Sequence, residues 1–177
     1  MYYSHVGEIK LFGLSNSEDV IKRIIDELMD EEDSGFQDYK ENGYLDLIES
    51  THTSISVEGD GDFDEMDALK SIFTDVIYKV TKIYPECHMK AHFRGTNSST
   101  GDTYIINLEM KDRHVKRIDM DGGEDDIYCP ECDEWIISFG DLEFGFDYEC
   151  DECGYKLSED EIIEMLNDID AYNEYDI

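Results

Sequence analysis

Apolar and polar side chains alternate along several segments of the chain, and this pattern predicts strands. In segment 87–94, Met89, Ala91 and Phe93 fall on one side, while histidine, lysine and arginine fall on the other. A period of two is typical of a half-buried strand. Similar though looser patterns predict strands at Val6–Leu14, Tyr44–Ile48, Thr53–Glu58, Tyr104–Met110 and 114–120.

Two segments repeat apolar residues every three to four positions, which predicts helices. The first begins with the capping-box spacing of Ser15 and Glu18 and continues through Leu28. The second has its apolar face from Leu69 to Val80 and ends before Pro85. The order β-α-β-(β)-α-β-β-β favours a ferredoxin-like α+β fold, an antiparallel sheet with two helices on one face.

Composition changes at the Gly-Asp segment 120–126. The residues after it contain four of the five cysteines. They end in a third predicted helix, where a capping box at Ser158 and Glu161 precedes apolar residues as far as Ile169. We therefore predict an α+β sandwich domain at 1–119, a linker at 120–126 and a small module with a C-terminal helix at 127–177.

The four late cysteines form two C-x-x-C pairs, Cys129/Cys132 and Cys150/Cys153, separated by seventeen residues. This spacing predicts a zinc site, because two intervening residues let both thiolates of a tight turn reach one tetrahedral ion. Four cysteines close the coordination shell, which favours a structural ion over a catalytic one. The alternative to a metal site is a pair of disulfide bonds, although thiols remain reduced in the cytosol.

Between the two pairs, Trp135–Phe139 and the alternating segment 141–149 predict a hairpin that turns at Gly140-Asp141. Residues 127–157 thus resemble the zinc-ribbon family. The resemblance implies the four ligands and a structural role for Zn²⁺, and it implies no particular partner. One departure is Asp133, which stands where the family often has glycine.

Charge is the strongest compositional feature, since 46 acidic residues against 14 lysines and arginines give a net charge of −32. Residues 119–177 hold 22 of the acids and one base, Lys156. Such a field repels nucleic acid and anionic membranes and attracts basic surfaces. On the predicted strand and the last helix, the carboxylates expected to contact a partner are Asp141, Glu143, Asp147, Glu149, Glu161, Glu164 and Asp168. The alternative is a solvated charged face.

In composition, the region 119–177 resembles phage-encoded DNA mimics of the anti-restriction and anti-CRISPR kind, and also acidic immunity proteins. That resemblance implies a non-enzymatic inhibitor. It would occupy the basic surface of a nucleic-acid-binding protein, such as a defence nuclease, without binding nucleic acid itself. No signal peptide or membrane span is apparent, so we expect a cytoplasmic protein. The alternative is a zinc-ribbon adaptor or transcription regulator that acts through Trp135 or Phe144.

Other signals favour structural interpretations. Glu109-Met110-Lys111 with Asp102 fits a nuclease motif, but the tripeptide is common and the net charge would repel a nucleic acid substrate. Basic side chains at 88–94 and 111–117 form either an anion-binding face or ion pairs with nearby acids. Cys87 is expected to be an inert core thiol. The sequence does not distinguish a monomer from a homodimer.

Overall fold

The computed structural model describes residues 3–14, 23–24, 26, 41, 48–50, 54–101, 103–121 and 126–177. The strands are β1 (Tyr3–Phe12), β2 (Ile48–Ser50), β3 (Ser54–Gly61), β4 (His88–Asn97), β5 (Thr103–Lys111), β6 (His114–Asp121), β7 (Asp126–Tyr128), β8 (Trp135–Ser138), β9 (Tyr148–Glu149), β10 (Lys156–Leu157) and β11 (Tyr172–Asp176). Within the described residues, the complete α-helices are α1 (Phe63–Ile83) and α2 (Glu159–Asp168), and Phe139–Asp141 forms a 3₁₀ helix.

Seven strands form one sheet in the order β11-β6-β5-β4-β1-β3-β2. All of its pairings are antiparallel. In the middle of the sheet, Ile9 of β1 is opposite Ile55 of β3 and Ala91 of β4. Asp112 and Arg113 join β5 to β6 with φ of 52° and 70°. Two positive φ values are what a two-residue hairpin turn needs to match the twist of its strands.

The first core lies between α1 and one face of the sheet. Leu69 and Val80 of α1 are fully buried, as are Ile9 and Met89 of the sheet. They belong to one apolar cluster. Each such side chain contributes about 1.5–3 kcal/mol when it is fully buried. The helical spacing of α1 and the alternation of β4 thus have their expected cause, a shared apolar interface.

A second core covers the opposite face of the sheet. Ile105 of β5 and Ile118 of β6 are buried there with Leu157 and Leu166 from the C-terminal region. Neighbouring Ile106 is also fully buried, but in the first core. β5 is therefore buried on both faces over most of its length, because α1 covers one face and residues 126–177 pack on the other. We call residues 126–177 the acidic module.

The last strand belongs to the main sheet, which the sequence pattern did not predict. β11 pairs with β6, so that Tyr172 is opposite Ile118 and Tyr175 is opposite Val115. Ile177 continues the contact, because its backbone N–H donates to the carbonyl oxygen of Arg113 at 2.9 Å. The acidic module is thus attached to the sheet by a shared core and by a strand.

The α+β class with a mostly antiparallel sheet is confirmed. The expected first helix lies mostly outside the described residues, although Arg23, Ile24 and Asp26 are helical and Ile24 is buried. The predicted strand at Tyr44–Ile48 also lies mostly outside them. The division at 120–126 stays a prediction. Among the described residues, no helix combines the length and apolar character that a membrane span requires.

The predicted hairpin between Trp135–Phe139 and segment 141–149 is wrong. β8 pairs with β7, and β9 pairs with β10. Phe139–Asp141 turns as a 3₁₀ helix, and Leu142 is buried in the second core. β7 and β8 therefore pair around the first C-x-x-C turn, and β9 and β10 pair around the second. Gly140-Asp141 is not a hairpin turn.

Candidate metal centre and acidic module

The two C-x-x-C turns have the same backbone hydrogen bonds. In the first, Cys129 N–H donates to Glu134 O at 2.7 Å and Asp133 N–H donates to Cys129 O at 2.9 Å. In the second, Cys150 N–H donates to Tyr155 O at 2.8 Å and Gly154 N–H donates to Cys150 O at 2.9 Å. Each turn is the tip of a short hairpin, β7–β8 or β9–β10. The hairpins therefore hold both cysteine pairs in equivalent conformations.

The residue after each second cysteine has a left-handed backbone, with φ of 62° at Asp133 and 73° at Gly154. Glycine adopts this conformation without steric cost, and aspartate tolerates it better than most residues. Asp133 therefore fills the position where the zinc-ribbon pattern often has glycine and keeps the glycine conformation.

The turns bring four sulfur atoms together. All four Sγ atoms, of Cys129, Cys132, Cys150 and Cys153, lie within 4.8 Å of one another. Two cross-turn distances, Cys129–Cys153 and Cys132–Cys150, are 3.5 Å. A tetrahedron with Zn–S bonds of about 2.3 Å has S···S edges of about 3.8 Å. The arrangement is compatible with a structural metal such as zinc.

The thiol environments differ within the chain. The backbone N–H of Cys153 is the main cause that lowers the pKa of Cys150 to about 7. A lowered pKa favours the thiolate, which is the form that binds metal. The pKa values of Cys132 and Cys153 are raised instead, because burial and hydrogen bonding between neighbouring thiols outweigh the backbone hydrogen bonds that lower them. Cys87 lies apart in the first core, where burial raises the pKa of its thiol to about 11. The core position expected for Cys87 is confirmed.

The predicted capping box at the start of α2 is confirmed. The Ser158 hydroxyl accepts from Glu161 N–H, and the Glu161 carboxylate accepts from Ser158 N–H at 2.9 Å. Tyr155 O–H also donates to Glu161. This donor is the main cause that lowers the pKa of Glu161 to about 2. Glu161 thus makes internal hydrogen bonds, whereas Glu164 and Asp168 of the same helix are exposed.

The predicted row of carboxylates on one strand face is wrong. Asp141 ends the 3₁₀ helix, Glu143 and Asp147 lie outside strands, and only Glu149 belongs to one, β9. The Asn107 side chain donates to Leu142 O and holds this segment against β5, while Gly145 turns the chain at φ 85°. All four carboxylates are nevertheless exposed.

Exposure extends to most carboxylates of the acidic module. It contains eighteen acidic residues and one base, Lys156, and fifteen of the acids are exposed. Among the residues that the structure describes, four of the fifteen form ion pairs, namely Glu143, Glu149, Glu174 and Asp176. The other eleven are Glu131, Asp133, Glu134, Asp141, Asp147, Asp151, Glu152, Asp160, Glu164, Asp168 and Asp170. Internal ion pairs therefore leave most of the negative charge facing solvent.

Several basic side chains at 88–94 and 111–117 contact acidic side chains. His88 Nε2 lies 2.8 Å from Glu109 Oε1, and Lys116 Nζ lies 2.7 Å from Glu159 Oε1. Arg113 pairs with Glu86 at 3.0 Å. Arg117 lies 2.5 Å from Asp119. These contacts favour pairing with nearby acids over an anion-binding face.

A groove of about 470 Å³ lies between β1, β4, β5 and segment 141–144. Charges of both signs line it, including Lys10, Lys90, Glu109 and Glu143. Lys90 Nζ is 3.7 Å from Glu143 Oε2. Glu109 belongs to the nuclease-like tripeptide, and its carboxylate contacts His88. Asp102, the other acid of that motif, lies outside the described residues.

Fold and site together define an α+β protein with a four-cysteine centre that is compatible with a structural metal. Comparisons with protein-family models, with curated proteins and with solved structures found no match to this chain. Arguments about its function therefore depend on its own residues: the cysteine centre, the exposed carboxylates and the way in which the module is attached to the sheet.

Proposed function

We propose that the chain is a non-enzymatic inhibitor that imitates nucleic acid and occupies the basic surface of a nucleic-acid-binding protein. The observation that carries this proposal is the acidic module, in which fifteen of eighteen carboxylates are exposed beside a single lysine. Duplex DNA likewise presents closely spaced negative charges along its backbone. A cationic groove would bind the DNA backbone or the acidic module, and in both cases counterions would be released.

Holding the carboxylates in fixed positions matters as much as their charge, because ordering a flexible acidic tail on binding costs conformational entropy. Three features support a rigid module here: the four-cysteine centre, the second core and the pairing of β11 with β6. We propose that the ion is Zn²⁺ with a purely structural role, since four thiolates leave no open coordination position. Structural zinc contributes on the order of 10 kcal/mol to the folding of small units.

We also propose a ferredoxin-like unit as the base of the module. The order β4-β1-β3-β2 and the position of α1 between β3 and β4 support it, with β5, β6 and β11 as additions. In this interpretation the sandwich carries the module and α1 covers the side of the sheet away from it.

The proposed partner is a defence nuclease in the cytoplasm of a host cell, and the proposed source is a phage or another mobile element. A strongly negative protein is repelled by nucleic acid and steered towards cationic grooves. Nucleases that cleave foreign DNA have such grooves because they bind phosphates.

The test compares two charge reversals of equal size. Asp141→Lys with Asp147→Lys changes two exposed carboxylates of the module that form no ion pair among the described residues. Asp67→Lys with Asp75→Lys makes the same change on the exposed side of α1. Cleavage of a labelled duplex by purified restriction and CRISPR nucleases is measured at low and high salt.

We expect the unmodified chain to inhibit at low salt and to lose inhibition as salt rises, because screening weakens exposed charge pairs. The module variant should lose inhibition, and the α1 variant should keep most of it. Equal losses in both variants would show that only net charge matters and would contradict mimicry by fixed carboxylates. Inhibition that ignores salt and both variants would show a contact that does not depend on charge and would likewise contradict the mimicry.

A further inference from the structure

An aromatic pair stands beside the first cysteine turn. Tyr128 and Trp135 are cross-strand partners at the end of the β7–β8 hairpin, next to a register shift. Their exposures are 44% and 55%. Opposite residues of an antiparallel pair project from the same face of the sheet. The structure thus presents two large aromatic side chains to solvent at one hairpin tip.

The indole is held in place by a hydrogen bond. Trp135 Nε1–H donates to Asp126 Oδ1 at 3.1 Å, and the Ser138 hydroxyl donates to the same oxygen at 2.6 Å. The hydrogen bond from Ser138, followed by that from Trp135, lowers the pKa of Asp126. Asp126 is therefore anionic at neutral pH. It orients the ring through its polar edge and leaves the aromatic face available.

The pair has acidic neighbours in the chain. The turn between the two aromatic residues contains Glu131, Asp133 and Glu134, which are all exposed. The cation–π contacts among the described residues place lysines over Tyr78, Tyr104 and Phe144, and none over Trp135. Two forces attract a cation to an aromatic face with acidic neighbours: the ring quadrupole and the opposite charge of the carboxylates.

We propose that Trp135, with Tyr128 beside it, receives an arginine side chain from a basic segment of the partner protein. Arginine fits better than lysine, because its planar guanidinium stacks on aromatic rings and forms bidentate hydrogen bonds with carboxylates. This inference rests on the proposed function, since it names the contact that adds specificity to a largely electrostatic attraction. Large aromatic anchors of this kind commonly dominate the energy of an interface.

The test uses a hexa-arginine peptide as the probe and hexa-citrulline as its neutral counterpart. Trp135 is the only tryptophan in the chain, so its fluorescence reports on this one position. Calorimetry gives the Kd for the unmodified chain, for Trp135→Leu, for Trp135→Phe and for the control Phe146→Leu. Phe146 is equally exposed, at 54%, and lies elsewhere in the acidic module. Zinc content and circular dichroism verify that each variant folds.

We expect hexa-arginine to change Trp135 emission and hexa-citrulline to leave it unchanged. Trp135→Leu should weaken hexa-arginine binding about three- to tenfold. Trp135→Phe should recover part of the loss, and Phe146→Leu should have no effect. Unchanged emission at calorimetric saturation, or equal affinities for Trp135→Leu and Phe146→Leu, would overturn the inference.

The two proposals fail separately. If the Asp141/Asp147 reversal abolishes nuclease inhibition while Trp135→Leu binds hexa-arginine normally, the charge mimic stands and the arginine contact is wrong. If Trp135→Leu weakens the peptide complex while nuclease inhibition is insensitive to charge and salt, the aromatic contact stands and the nucleic-acid mimic is wrong.

Discussion

The two cores of the protein share β5 and β6, so we expect a defect in one core to unfold both. The replacement Leu157→Ala tests this expectation in the second core. Leu157 is fully buried on β10, which directly follows the second cysteine turn. It shares its cluster with Ile105 of β5 and Ile118 of β6. Its loss therefore affects the surface that joins the acidic module to the sheet.

The expected size follows from complete burial. Leucine-to-alanine changes in well-packed cores cost about 2–5 kcal/mol, and a fully buried site with apolar neighbours on both sides suggests about 3 kcal/mol. A urea dependence of about 2 kcal/mol per molar turns this into a midpoint lower by about 1.5 M. The matched control is Leu69→Ala, which removes a fully buried leucine from the first core.

Two probes separate the parts of the chain during urea unfolding at saturating zinc. Trp135 fluorescence follows the acidic module, and far-ultraviolet circular dichroism follows the whole chain. If the cores form one cooperative unit, each variant lowers both midpoints by the same amount. If Leu157→Ala shifted only the fluorescence transition and Leu69→Ala only the circular dichroism transition, the module would unfold by itself. That outcome would refute the argument from the shared core.

Two further predictions concern the metal centre and the last strand. Gly154→Ala should weaken zinc binding about fivefold in a chelator competition, because an alanine in the left-handed conformation costs about 1 kcal/mol, although its Cβ would meet nothing closer than 3.8 Å. Gly154→Asn is the control, since asparagine tolerates this conformation. Equal zinc affinities for the alanine variant and the unmodified chain would contradict the strain argument. The hydrogen bond that the His114 ring donates to Asp176, followed by the charge of Glu174, raises the pKa of His114 in the folded state. Its stabilisation is therefore complete below about pH 6.5 and is lost as pH rises through the raised pKa. The urea midpoint of the unmodified chain should exceed that of His114→Gln at pH 6 and match it at pH 9, and a constant difference would refute this assignment.

Features set by neighbours in the chain were predictable from the sequence. The spacing of Cys129/Cys132 and Cys150/Cys153 specifies two tight turns, because a two-residue gap places both sulfurs on one side. The capping box of Ser158 and Glu161 is likewise local, since a side chain and a backbone N–H three residues apart satisfy each other. Alternation in β4 and helical spacing in α1 show which residues share a face.

Alternation does not show which strand lies next to which. Segment 141–149 alternates as a strand would, yet Leu142 is buried against β5 and Phe146 faces solvent. The predicted hairpin failed because each cysteine turn already joins its own pair of strands through local hydrogen bonds. Once β7–β8 and β9–β10 have formed, the segment between them has no strand partner in that module.

The sequence by itself thus determined the local chemistry: the cysteine turns, the helix cap, the apolar faces and the acidic composition. Only the tertiary structure decided that β11 joins the main sheet, that β5 is buried on both faces and that the carboxylates are distributed over several elements. Tyr172–Asp176 is mostly polar and exposed, so its pattern carries no sign of a strand. Its backbone hydrogen bonds to β6 are long-range contacts, and such contacts depend on which edge the folded sheet leaves open.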